Sequence, residues 1–224
     1  MPGLAMDDGR YVRALEADLA RTRALLHEAD HRAKNTLQVV TSLVLLQARR
    51  IGSTPAQRVL YAIAERISAL STVHRLLAED EDGRFDVTAF LRETTDELRG
   101  ASDRIAVALD LADADVAAAK APTLALLVHE LLAEAFGRDF AQGEGAQGER
   151  GHIAVSAAYH GGALRIVVAD DGTDPAEPGD EFGPMLVDLL GKQLRAEVRR
   201  EATMPGTRIT ITLPVEGAEP GGRR

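Results

Sequence analysis

The sequence predicts an N-terminal α-helical hairpin that forms a dimeric four-helix bundle, followed by an α+β domain. Three observations carry this reading. From about Asp7 to Arg50 the chain has no proline and, past Gly9, no glycine, and most residues are good helix formers. A second helical pattern follows the break Gly52-Ser53-Thr54-Pro55. Beyond residue 104 the helical spacing gives way to short runs rich in Val, Ile and Ala with period-two character.

In the first helix, Val12, Leu15, Leu19, Thr22, Leu26, Ala29 and Ala33 follow a three-four spacing, which marks one face. Leu37, Val40 and Val44 extend an apolar stripe that lies roughly opposite His31, at ~100° per residue. In the second helix Leu60, Ile63, Ile67, Leu70, His74 and Leu77 give a heptad-like face. A lone hairpin leaves a wide apolar stripe open, and pairing with a second copy is the simplest way to cover it. The polar break Glu79-Asp80-Glu81-Asp82-Gly83 ends the hairpin. Asp86 is placed to cap a third helix through roughly Gly100, with Val87, Phe90, Leu91 and Leu98 on one side.

The second part reads as a strand at Ile105-Ala106-Val107-Ala108-Leu109 and a mostly buried helix from Pro122 to Phe136. Strands are expected at Ile153 to Tyr159, Leu164 to Ala169 and Arg208 to Leu213, with a helix near Pro184 to Leu194 between the last two. The stretch from Arg138 to Gly151 is glycine-rich and reads as a mobile loop, and the Gly/Pro-rich tail from Glu216 reads as disordered. The expected division is therefore residues 1–84, residues 85–215 and a tail at 216–224.

Composition bounds the function classes. With 45% hydrophobic and 27% charged residues the balance is globular, and aromatics at 4% without Trp leave Leu, Val, Ile and Ala to build the cores. A formal net charge of -9 argues against a nucleic-acid binder. Zero cysteines exclude disulfides and thiolate chemistry and fit a cytoplasmic protein. No apolar run approaches the ~20 residues that span a bilayer, so no membrane partner is expected. The histidines at 129, 152 and 160 lack the convergent spacing of a metal site, and no metal is expected.

The chemistry centres on Asp30-His31-Arg32-Ala33-Lys34-Asn35. Imidazole is a nucleophile with a pKa near neutrality, and neighbouring cations can steady a phosphate. His27, one turn earlier, reads as an exposed helix residue, and His74 as a packed bundle histidine.

His31-Arg32-Ala33-Lys34-Asn35-Thr36-Leu37-Gln38 resembles the phosphoacceptor helix, H-R-x-K-N-x-L-Q, of a group of sensor histidine kinases related to the HWE type. Val73-His74-Arg75-Leu76-Leu77 and Phe85-Asp86-Val87-Thr88-Ala89-Phe90-Leu91-Arg92-Glu93 resemble later segments of the same group, in the same order. Gly206-Thr207-Arg208-Ile209-Thr210-Ile211-Thr212-Leu213-Pro214 resembles its closing strand. The likeness runs from about residue 20 to 214. It implies a dimerisation and phosphotransfer hairpin, then a domain like the histidine kinase or GHKL ATPase sandwich. It further implies that His31 is the phosphoacceptor, that Asp30 assists its proton, and that Arg32, Lys34 and Asn35 meet the phosphoryl group or the partner.

Against the same family pattern the nucleotide residues depart. In His129-Glu130-Leu131-Leu132-Ala133-Glu134-Ala135-Phe136, Glu130 is kept, and Glu134 stands where the family places a magnesium-coordinating asparagine. Glutamate can still ligate magnesium, but it adds a negative charge where polyphosphate must sit. In Asp170-Asp171-Gly172-Thr173-Asp174 the adenine-recognising aspartate, Asp170, is kept and the second glycine has become Asp174. The later phosphate loop is reduced to Phe182-Gly183-Pro184-Met185-Leu186, and Pro184 removes a backbone N–H at a helix start, though the first turn is also where proline is welcome. Asp174, Glu177, Asp180 and Glu181 lie between, with no lysine or arginine among them. Like charges held close cost on the order of 1 kcal/mol each or more.

The resulting expectation is a degenerate nucleotide site of Glu130, Glu134, Asp170, Gly172 and Gly183 that uses no cofactor. The chain would then be a histidine phosphotransfer protein of a two-component phosphorelay. It would take phosphate on His31 from a response-regulator receiver and pass it on, like sporulation-type phosphotransferases with a vestigial kinase fold. Two alternatives stand beside it: a divergent, sensor-less histidine kinase using Mg-ATP, and a non-catalytic dimer that binds receivers.

Overall fold

In the computed structural model the first helix, α1, runs unbroken from Ala5 to Arg50, and α2 from Thr54 to Glu79. The structure describes residues 5–79, 83–100, 105–137, 151–172 and 182–215, with backbone alone at 5–10, 26, 27, 30, 31 and 79. The chain divides into two compact units, Met1–Glu79 and Asp80–Arg224.

The first unit is the α1–α2 hairpin. Its length follows from composition, since nothing between Arg10 and Arg50 interrupts the backbone ladder. At ~1.5 Å per residue the 46 residues of α1 span about 69 Å and the 26 of α2 about 39 Å, so α1 outruns its partner. The heptad-like face of α2 is not its most buried one within the hairpin. Ala64, Ala69, Val73 and Leu76 are buried, as is Ala48. Leu60, Ile67, Leu70, His74 and Leu77 are only half-buried, and Ile63 is exposed. Small alanines let the two backbones approach, so the seam forms on them and the larger Leu/Ile stripe is left to one side. On α1, Val12, Leu15 and Leu19 are each at least half exposed.

The second unit starts with β1 (Arg84–Asp86), followed by α3 (Val87–Arg99), β2 (Ile105–Leu111), β3 (Asp115–Ala117) and α4 (Ala121–Phe136). It continues with β4 (Gly151–His160), β5 (Ala163–Asp170), α5 (Phe182–Leu194), β6 (Glu197–Ala202) and β7 (Thr207–Pro214). The five-stranded sheet has the order β2-β4-β5-β7-β6, parallel between β2 and β4 and antiparallel elsewhere. Alternation along β4, β5 and β7 turns Ile153, Val155, Leu164, Ile166, Val168, Ile209, Ile211 and Leu213 inward. They meet the largely apolar α4, whose Leu124, Leu127, Val128, Leu131 and Leu132 are fully or almost fully buried, and which also packs on α3 and α5.

As expected, Asp86 caps α3: its side chain accepts from Ala89 N at 2.9 Å. Phe85, just before that cap, lies in β1, paired antiparallel with β3. Three strands were not expected: β1, β3 and β6. The first two are three residues each, too short for a periodic signal, and β6 is an edge strand dominated by charge. The expected loop at 138–150 and the tail at 216–224 lie outside the described residues. No helix among the described residues is long and apolar enough to cross a membrane.

Candidate functional site

Each unit carries one candidate region. On α1, helical geometry at ~100° per residue puts His31, Lys34, Asn35 and Gln38 on one side, with Asp30 and Arg32 at roughly right angles to either flank. Arg32 is exposed and its guanidinium is paired one turn back with Glu28. Lys34 is half-buried and Asn35 exposed. Arg32 is thus turned toward Glu28.

In the second unit α4 places Glu130 and Glu134 one turn apart on the same face. Glu130 is buried at 8% exposure, beside His129 at 5%, whose Nδ1 lies 3.6 Å from Glu130 Oε1. That Nδ1 has no hydrogen-bond partner among the described residues. Asp170 ends β5 with its side chain on the helix-facing side, 7% exposed, and its Oδ1 accepts from Gly172 N at 3.0 Å. The bond closes a tight turn that fixes the carboxylate.

The start of β7 completes this corner. Gly206 has φ +91°, and a Cβ there would lie 1.8 Å from the Asp170 carbonyl oxygen. Only glycine permits this approach, and Gly206 thereby seats the backbone of Asp170.

Sequence reasoning missed Arg200. Register pairs it with Ile209, so it stands on the helix-facing side of β6 and reaches α4. Its guanidinium donates from Nη1 to Glu134 Oε1 and, at 2.7 Å, from Nη2 to Glu134 Oε2. Its pKa is raised, first by that hydrogen bond and then by the charges of Glu134 and Asp170, against the lowering effect of burial. One cation thus feels both carboxylates. The negative charge expected to stand uncompensated at Glu134 is neutralised, a correction that follows from a fold contact 66 residues away in sequence. The only hint was a charged pair, Arg199-Arg200, inside a segment too polar to read as a strand.

The pairing also answers whether this position fits magnesium. Both Glu134 oxygens are engaged by a guanidinium, so an approaching dication meets a carboxylate already neutralised and a fixed positive charge beside it. The residues present do not fit the metal here. Among the described residues no group of three or more His, Asp or Glu could hold a metal ion.

Gly183 falls in the first turn of α5, and a Cβ on it would meet nothing within 4 Å. It is not held there by close approach of any described atom. Pro184 sits in the same turn, where its missing N–H breaks no helix bond. Asp174 and the acidic positions Glu177, Asp180 and Glu181 lie outside the described residues.

Residues 28–102 match the HisKA_2 family model, described as histidine kinase. Sensor histidine kinase PdtaS of Mycobacterium tuberculosis is 27% identical over 93% of this chain and 43% of its own length. Blue-light-activated histidine kinase 2 of Erythrobacter litoralis is 25% identical over 92% of this chain and 64% of its own. This chain therefore spans less than half of the mycobacterial kinase and under two thirds of the blue-light kinase. Among solved structures, the histidine kinase domain of the Erythrobacter litoralis EL346 blue-light activated kinase superposes with a TM-score of 0.60 at 23% identity, covering 88% of this chain and 93% of that one. A helical part followed by an α+β domain is thus the fold that this chain shares with that kinase domain.

Proposed function

We propose that this chain is a histidine kinase module and works as a divergent kinase in a two-component system, with His31 as phosphoacceptor and a response-regulator receiver as partner. The observation that carries the reading is the family match itself. It begins three residues before His31 and runs through the hairpin into α3. The curated kinases that it resembles align along nearly all of this chain.

In this reading an imidazole nitrogen of His31 attacks the γ-phosphorus of ATP, an N–P bond forms, and the P–O bond to the leaving ADP breaks. The phosphoryl group then passes to a receiver carboxylate. Asp30 takes up or returns the imidazole proton, and Lys34 and Asn35, on the same side of α1, steady the transferred charge. Glu130, Asp170 and Gly172 form the nucleotide side, with Gly183 at its margin. Two copies associate through α1 and α2 as a four-helix bundle, which covers Val12, Leu15 and Leu19. Functionally the chain divides as residues 1–84 and 85–215.

A second reading, phosphotransfer between receivers without ATP, is favoured by one observation, the Glu134–Arg200 pair at the position where a kinase needs a metal ligand. Two donors decide between them. Label should enter the wild type from γ-labelled ATP, and His31→Ala should abolish it. If ATP gives no label while a phosphorylated receiver labels His31, the phosphotransfer reading replaces the kinase. If neither donor labels His31, both fall.

A further inference from the structure

Resting on the reading of the second unit as a nucleotide-binding domain, we propose that Arg200 is a built-in cation for nucleotide phosphate, so that the site binds its nucleotide without a divalent ion. Four features converge on it. The Glu134–Arg200 contact is bidentate, which fixes the guanidinium plane as a single hydrogen bond would not. Glu134 lies in the last turn of α4, where the carbonyl ends of the helix add partial negative charge and favour a cation. Asp170, buried and locked by Gly172, adds its negative charge to the field at the same guanidinium.

The fourth feature is spare capacity. A guanidinium carries five N–H groups, and Glu134 takes one from each terminal nitrogen. The Arg200 side chain is 42% exposed, against 21% for Glu134, so the guanidinium side of the pair is the more open to solvent. A planar donor set already anchored on one edge suits a phosphate oxygen on the other. The ligand class is a nucleoside di- or triphosphate. Its negative charge is met by arginine, in the place that a carboxamide and a metal would otherwise fill.

The test uses the full chain and ADP, with affinity read by calorimetry in Mg²⁺ and in EDTA. Wild type should bind equally, within about twofold, in both buffers, because a charge-assisted bond to arginine needs no metal. Arg200→Ala should weaken binding in EDTA by about tenfold or more. Glu134→Gln, which keeps the side-chain volume and leaves Arg200 in place, should stay insensitive to EDTA and covers the case in which Arg200→Ala does not fold. The proposal is overturned if wild-type or Glu134→Gln binding collapses in EDTA, or if Arg200→Ala binds in EDTA as wild type does. In each of those cases the nucleotide-binding reading stands. If no ADP binds in either buffer, both the proposal and that reading fail.

Discussion

At the residue scale, Gly206 shows how a site can depend on an atom that is absent. Its positive φ and its contact with the Asp170 carbonyl leave no room for a side chain. Gly206→Ala should cost at least about 3 kcal/mol, since a disallowed backbone is compounded by overlap with main-chain atoms that cannot rotate away. Urea unfolding monitored by circular dichroism measures it, and a loss below about 1 kcal/mol would mean the turn can shift aside. Tyr159 is a second case: its hydroxyl accepts from Asp115 N at 3.1 Å and donates to Asp115 O, while Arg84 holds the Asp115 carboxylate. Tyr159→Phe should destabilise by about 1 kcal/mol, visible in the same unfolding curves.

At the scale of elements, what could be read from sequence followed from period and composition. The two long helices, α3 with its Asp86 cap, α4 and strands β2, β4, β5 and β7 all carry signals in windows of five residues or more. β1 and β3 are three residues long and exist because they pair with each other, 31 residues apart. The faces of α2 were harder to read than its existence. Spacing found the large apolar residues, but the seam chose Ala64 and Ala69, which are too small to stand out on a helical wheel. The candidate site divides in the same way. Glu130, Glu134, Asp170 and Gly172 were found through local motifs, whereas Arg200 joins them through strand register, which no local window contains.

At the scale of the molecule, the hairpin unit leaves an apolar stripe on α1 that its own partner helix is too short to cover. In the dimer proposed above that stripe is interface. Replacing Val12, Leu15 and Leu19 together with glutamate should turn a dimer into a monomer in sedimentation velocity, because each buried leucine or valine contributes ~1.5–3 kcal/mol. A wild type that sediments as a monomer at micromolar concentration would remove the bundle from the proposal. The α+β unit has its own core and does not rely on that association for its folding. Strand β6 has a further consequence at this scale. Among the described residues it is the outermost strand of the sheet, and Glu197, Arg199, Arg200 and Glu201 give it charge of both signs, of the kind that discourages a foreign strand from adding on. The arginine that neutralises Glu134 is therefore also a guard against unwanted self-assembly. A sequence drifting back toward a metal-dependent site would have to find another guard first.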